Sequence, residues 1–303
     1  MHQQMTLLTR LLAGLLILAC ARLEPLYAEI SIYAGGIAGV EALTDAGNST
    51  QYRKAGGGLY LHNDGWARLD QSQQKQVLSN FTGKPIAIEL GFREGASAWA
   101  ARLQSAYLDQ GILPDFIAAN AFDQNNRPVP REWRHYTEAL RGTSLPATTL
   151  ILPTFEYANF GMNRETLSRN TVTLREDFQE IIRAAGGLVL DVPPGYAFQR
   201  ERAYRDWVLD AIRWSDSRGY TVVWICSPHN RHDSFRNDAR RFLRYLERHD
   251  ALPQIIVVEN YTHEPSNVYP NIIGHEDQKD TILGVATFLL LEVVPGLPVM
   301  IQE

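Results

Sequence analysis

Short apolar runs recur along this chain, each opened by Gly or Pro and closed by polar residues. They are Leu59–His62, Ile86–Leu90, Phe116–Ala119, Thr149–Leu152, Leu188–Leu190, Val222–Ile225, Ile255–Val258 and Ile272–Ile273. Gly57-Gly58, Pro85, Pro114, Pro146, Gly186-Gly187, Gly219, Pro253 and Pro270 precede them, as chain-reversing residues precede strands. Ile255 to Val258 is an unbroken β-branched run, the pattern of a strand covered on both faces. Between the runs, apolar residues fall three and four apart. Leu174, Phe178, Ile181, Ile182 and Ala185 form one stripe, opened by the capping-box residues Thr173 to Glu176. Ala203, Trp207, Val208, Ala211 and Ile212 form another, and Phe235, Ala239, Phe242, Leu243 and Leu246 a third. Shorter stripes carry Trp99, Leu103 and Tyr107, then Trp133, Tyr136 and Leu140. Ile282 to Leu291 is apolar all round and reads as a buried helix.

Alternating strands and helices imply parallel strands with helical crossovers, and eight such units predict a single (β/α)8 barrel, an α/β fold. A doubly wound open sheet is the alternative, but no Gly-x-Gly-x-x-Gly or phosphate-binding loop follows any run. The predicted division is an N-terminal segment to residue 28, then residues 29–57 as an extension or a first strand and loop, then the barrel over 58–303. Counting from Gly58, Glu156 follows the fourth strand and Glu259 ends the seventh. If Ile30 to Tyr33 is the first strand instead, Glu259 ends the eighth.

The first 28 residues are a separate matter. Arg10 precedes LLAGLLILACA, an apolar run short of a bilayer span, which predicts a secretory signal peptide and a secreted or periplasmic protein. Leu26-Tyr27-Ala28 and Ala19-Cys20-Ala21 are candidate cleavage sites. Ile17 to Cys20 resembles a bacterial lipoprotein box, so a lipid anchor at Cys20 is the one membrane attachment expected. Removing this segment leaves Cys226 alone, which excludes an intramolecular disulfide and a cysteine metal site. A hydrophobic content of 45% and a charged content of 21% fit a chain with one large core, and the net charge of -5 gives no basis for a nucleic-acid or an anionic-membrane partner.

In a barrel the chemistry gathers where strands end, at their C-terminal side. Glu259, Glu156 and Asp191 are the candidate catalytic carboxylates there. His62, Asp64, Glu89, Arg93, Asn120, Tyr157, Tyr196, Trp224, His229, Asn260, Tyr261 and His263 are candidate substrate-binding residues. Acids and amides that bond hydroxyls, beside rings that stack on apolar sugar faces, compose a carbohydrate cleft. The histidines show no metalloenzyme spacing, and no metal or other cofactor is expected.

With Glu156 after the fourth strand and Glu259 ending the seventh, residues 58 to 294 resemble the (β/α)8-barrel glycoside hydrolases, whose acid/base Glu follows strand four and whose nucleophile ends strand seven. In that group an Asn usually precedes the acid/base, whereas Phe155 precedes Glu156 here. The resemblance implies hydrolysis of an oligo- or polysaccharide by paired carboxyl groups. Two alternatives stand: a non-catalytic glycan-binding barrel of an export or matrix system, and a phosphodiesterase barrel using His62.

Overall fold

The structure is a computed structural model and describes residues 30–90, 95–120, 130–156, 176–199, 202–228, 234–260 and 274–297. Its first strand, β1 (Ser31–Gly35), leads through short helices α1 (Gly39–Ala42) and α2 (Thr50–Lys54) to β2 (Gly58–His62). Next come α3 (Asn63–Trp66), α4 (Gln71–Asn80), β3 (Ile86–Leu90), α5 (Ala96–Ala106), β4 (Phe116–Asn120), α6 (Pro130–Arg141) and β5 (Leu150–Glu156). The chain continues with α7 (Glu176–Ala185), β6 (Gly187–Asp191), α8 (Pro194–Gln199), α9 (Arg202–Asp216), β7 (Thr221–Cys226), α10 (Phe235–Glu247), β8 (Ile255–Val258) and α11 (Ile282–Phe288).

The strands close in sequence order into one parallel barrel. Closure is made by β1, which sets Tyr33 beside Gly58 of β2 on one side and beside Val257 of β8 on the other. Of the two readings of residues 29–57, Ser31–Gly35 thus supplies a first strand, and the barrel begins well before residue 58. Glu156 ends the fifth strand and Glu259 follows the eighth. This corrects the count on which the resemblance to glycoside hydrolases was built. SIYAG is short and runs into glycines, so its apolar content alone left open whether it opens the barrel. The predicted strand at Ile272–Ile273, the cap at Thr173 and the signal peptide lie outside the described residues.

Alternate residues of each strand fill the barrel. Tyr33, Tyr60, Ala87, Phe116, Ala118, Leu152, Val189, Val223, Ile225 and Val257 form one inner cluster. Three rings share this space with two alanines: Phe116 meets Tyr33 edge-on at 5.4 Å between centroids and lies 6.4 Å from Tyr60. The opposite faces of the strands, including Leu59, Ile88, Ile117, Phe155, Leu190, Trp224 and Val258, pack against the helices. The predicted stripe of α10, Phe235 through Leu246, is buried at every named position. α11 is buried throughout, so its lack of a polar face is a consequence of its position.

Candidate active site

The inward phase that fills the barrel continues to the C-terminal strand ends, where it changes from apolar to acidic. Tyr60 is followed in phase by His62, Ala87 by Glu89, Val189 by Asp191 and Val257 by Glu259. The strands thus carry carboxyl groups from β3, β6 and the end of β8 toward one mouth. Asp191 and Glu259 are buried, at 3% and 0% exposure. Glu89 and His62 keep 16% and 12% of their side-chain surface.

Tyr60 ties these groups together, although nothing in the sequence reading singled it out. Its hydroxyl donates to Glu89 Oε2 at 2.7 Å. Burial, together with the negative charges of Glu89, Glu259 and Asp191, raises its pKa well above the usual tyrosine value. The phenol therefore keeps its proton and remains a donor at neutral pH. The other Glu89 oxygen, Oε1, lies 3.8 Å from His62 Nε2. Nδ1 of His62 accepts the backbone N–H of Asp64 at 3.1 Å, so the neutral ring carries its proton on Nε2, facing Glu89. Both nitrogens of His62 are turned to protein.

Glu259 is held from its backbone. Its N–H donates to the Cys226 carbonyl at 3.2 Å, extending the ladder past β8, and the carbonyl of Asn260 accepts Ile37 N–H at 3.0 Å. Asn260 Oδ1 accepts the N–H groups of Ala38 at 3.3 Å and Gly39 at 3.0 Å, fixing the turn into α1. Asn260, read from sequence as a substrate-binding residue, pins this turn beside Glu259 through its Oδ1. Replacing it by Ala strands two buried amides, and an unfolding free energy lower by ~2 kcal/mol is expected. Urea titration of the two proteins measures it, and an unchanged midpoint refutes the bracing role.

Two other candidates face the wrong way. Trp224 lies on the outer face of β7, donates Nε1–H to the Val192 carbonyl at 2.9 Å and packs 5.2 Å from the ring of Phe242. Tyr196 is buried in α8, edge-on to Tyr204 at 5.8 Å. Both are core residues: Trp224 because a place late in a strand does not determine which face a side chain takes, and Tyr196 because it lies in the helix that follows β6. Asp64 is exposed in the first turn of α3 and accepts Asn63 Nδ2–H at 3.1 Å. Glu156 closes β5 in register with Asp191, and Asn120 closes β4 beside Thr154, with only their backbones described. Arg93, Tyr157, His229, Tyr261 and His263 lie outside the described residues. The hydroxyls of Thr154 and Ser227 are buried without a hydrogen-bond partner among the described residues. Thr154 shares the inward phase of Leu152, two residues earlier. Among the described residues no three His, Cys, Asp or Glu side chains are grouped to hold a metal ion.

No family model matches this sequence, and no curated protein matches it. Among solved structures, KGPDC from Streptococcus mutans aligns over 88% of this chain and 97% of its own, at 9% identity and a TM-score of 0.49. A GH5 cellulase from an Icelandic hot spring isolate aligns over 90% and 89%, at 12% identity and a TM-score of 0.46. A nitroalkane oxidase from Streptomyces ansochromogenes aligns over 76% and 65%, at 12% identity and a TM-score of 0.33. Likenesses this remote carry no argument for a reaction, and the barrel rests on the chain's own strand pairing.

Proposed function

We propose that the chain is an exported glycoside hydrolase acting on an oligo- or polysaccharide, with its working carboxyl groups among Glu259, Glu89 and Asp191. The observation that supports this most is the shared inward phase of those three acids at the C-terminal ends of strands far apart in sequence, with Glu89 bonded to the buried hydroxyl of Tyr60. Glycosidic cleavage needs one carboxyl group to give a proton to the leaving oxygen and a second to act as nucleophile or base. Glu89, bonded to Tyr60 and facing His62, is positioned for the second role. Glu259, braced by the Asn260 turn, is the candidate for the first. Asp191 stands in the same mouth as the alternative partner.

Two of the candidate stacking rings, Trp224 and Tyr196, are packed into the core, which bears equally on the hydrolase and on the glycan-binding reading. What remains in the described mouth is acid chemistry. The test is hydrolysis of a panel of exported polysaccharides and aryl glycosides by the full-length chain, beside Glu259→Gln. The expected result is turnover by the wild type and a loss of about a hundredfold or more in a variant that still folds. Saturable glycan binding without turnover in either protein would replace the hydrolase with the binding module.

A further inference from the structure

A second surface, on the outer wall of the barrel, has its own chemistry. Along α10 and just beyond it, Arg236, Arg240, Arg244 and Arg248 stand four residues apart, with Arg241 beside them. Like charges at this spacing weaken a helix, so local helix stability does not account for the row. The opposite face of the helix is buried in the core, which leaves the arginines outward. Two guanidinium groups are fixed on rings: Arg241 lies 3.9 Å from the centroid of Phe198 and Arg236 lies 3.8 Å from that of Phe288.

Acidic neighbours answer part of this charge. Arg236 pairs with Glu292 at 3.1 Å and Arg244 with Glu247 at 2.9 Å. Arg240 bonds only the Asn237 amide oxygen, at 3.3 Å, and Arg240, Arg241 and Arg248 are exposed with no acidic partner among the described residues. The Arg236–Glu292 pair sets this row beside Leu291, which is 45% exposed, with half-buried Leu290, Val294 and Leu297 in the same segment.

We propose that this face docks on an anionic phospholipid surface. Exposed guanidinium groups bind lipid phosphates through paired N–H donors, and an apolar side chain beside them enters the headgroup layer, the combination that defines peripheral membrane contact. The convex helix wall favours a surface over a single strand of polymer, which a groove would hold. The site is independent of the barrel mouth, so it stands or falls apart from the glycosidase reading.

The test is co-sedimentation of the full-length chain with phosphatidylglycerol vesicles and with phosphatidylcholine vesicles of the same size. Binding to the anionic vesicles alone, released by high salt, is expected. The combined Arg240→Glu, Arg241→Glu, Arg248→Glu variant is expected to bind about a hundredfold more weakly at an unchanged melting temperature. If charge reversal unfolds the chain, Arg240→Gln with Arg248→Gln leaves the Arg241 stack in place and is expected to weaken binding about tenfold. Equal binding to both vesicle types, retention by a folded variant, or capture of a soluble anionic polymer with no preference for phosphatidylglycerol would each overturn the proposal.

Discussion

Glu89→Gln is expected to lower kcat on a cleavable glycoside by about a thousandfold while leaving the melting temperature within about two degrees. Gln has the same shape, and its amide oxygen still accepts the proton of Tyr60, so the strand end keeps its packing. What disappears is the charge that a nucleophile or base must supply. Tyr60→Phe tests the same assignment from the other side. It removes the hydroxyl that bonds Glu89 at 2.7 Å and is expected to reduce kcat about tenfold, with KM little changed, through loss of the carboxylate's orientation. Because the two side chains act through one bond, the double variant should be no slower than Glu89→Gln alone. Additive losses would mean that Tyr60 works on Glu259 or Asp191 instead. A Glu89→Gln enzyme within a fewfold of wild type would remove Glu89 from the chemistry.

The barrel was legible in the sequence because strands buried on both faces must be apolar throughout, and such runs are visible without an alignment. The same property hid which way each side chain faces. In VVWIC every residue is apolar, so the phase of Trp224 does not show until Val223 and Ile225 are seen inside the barrel. Where a strand ends in a charge the phase can be read: Asp191 and Glu259 were found as acids closing apolar runs, and both lie at the mouth. Tyr60 escaped because a tyrosine inside an apolar run reads as core. Its role follows only from the register that places Tyr60 beside Ala87, and His62 beside Glu89, on β3. The structural duty of Asn260 is hidden for the opposite reason, since a polar residue after a strand does not show that a turn distant in sequence needs its oxygen.

That turn leads to a large expected stability effect, at Gly36. Its φ of +95° is a conformation that side chains disfavour, and an added Cβ would stand 2.8 Å from both N and O of Asn260 and 2.9 Å from Cβ of Glu259. Gly36→Ala therefore combines backbone strain with crowding against the residues that hold the candidate acid, and a loss of ~4 kcal/mol in unfolding free energy is expected. Gly56 supplies the control within the same protein. Its φ of +94° is nearly identical, yet a Cβ there meets nothing within 4 Å, so Gly56→Ala should cost only the backbone strain, ~1–2 kcal/mol. The difference between the two unfolding free energies isolates the contact of β1 with Glu259 and Asn260. If Gly36→Ala folds by pushing the Glu259 segment away from the mouth, its kcat should also fall about tenfold. Equal stability losses and unchanged turnover would show that the closing turn does not position Glu259.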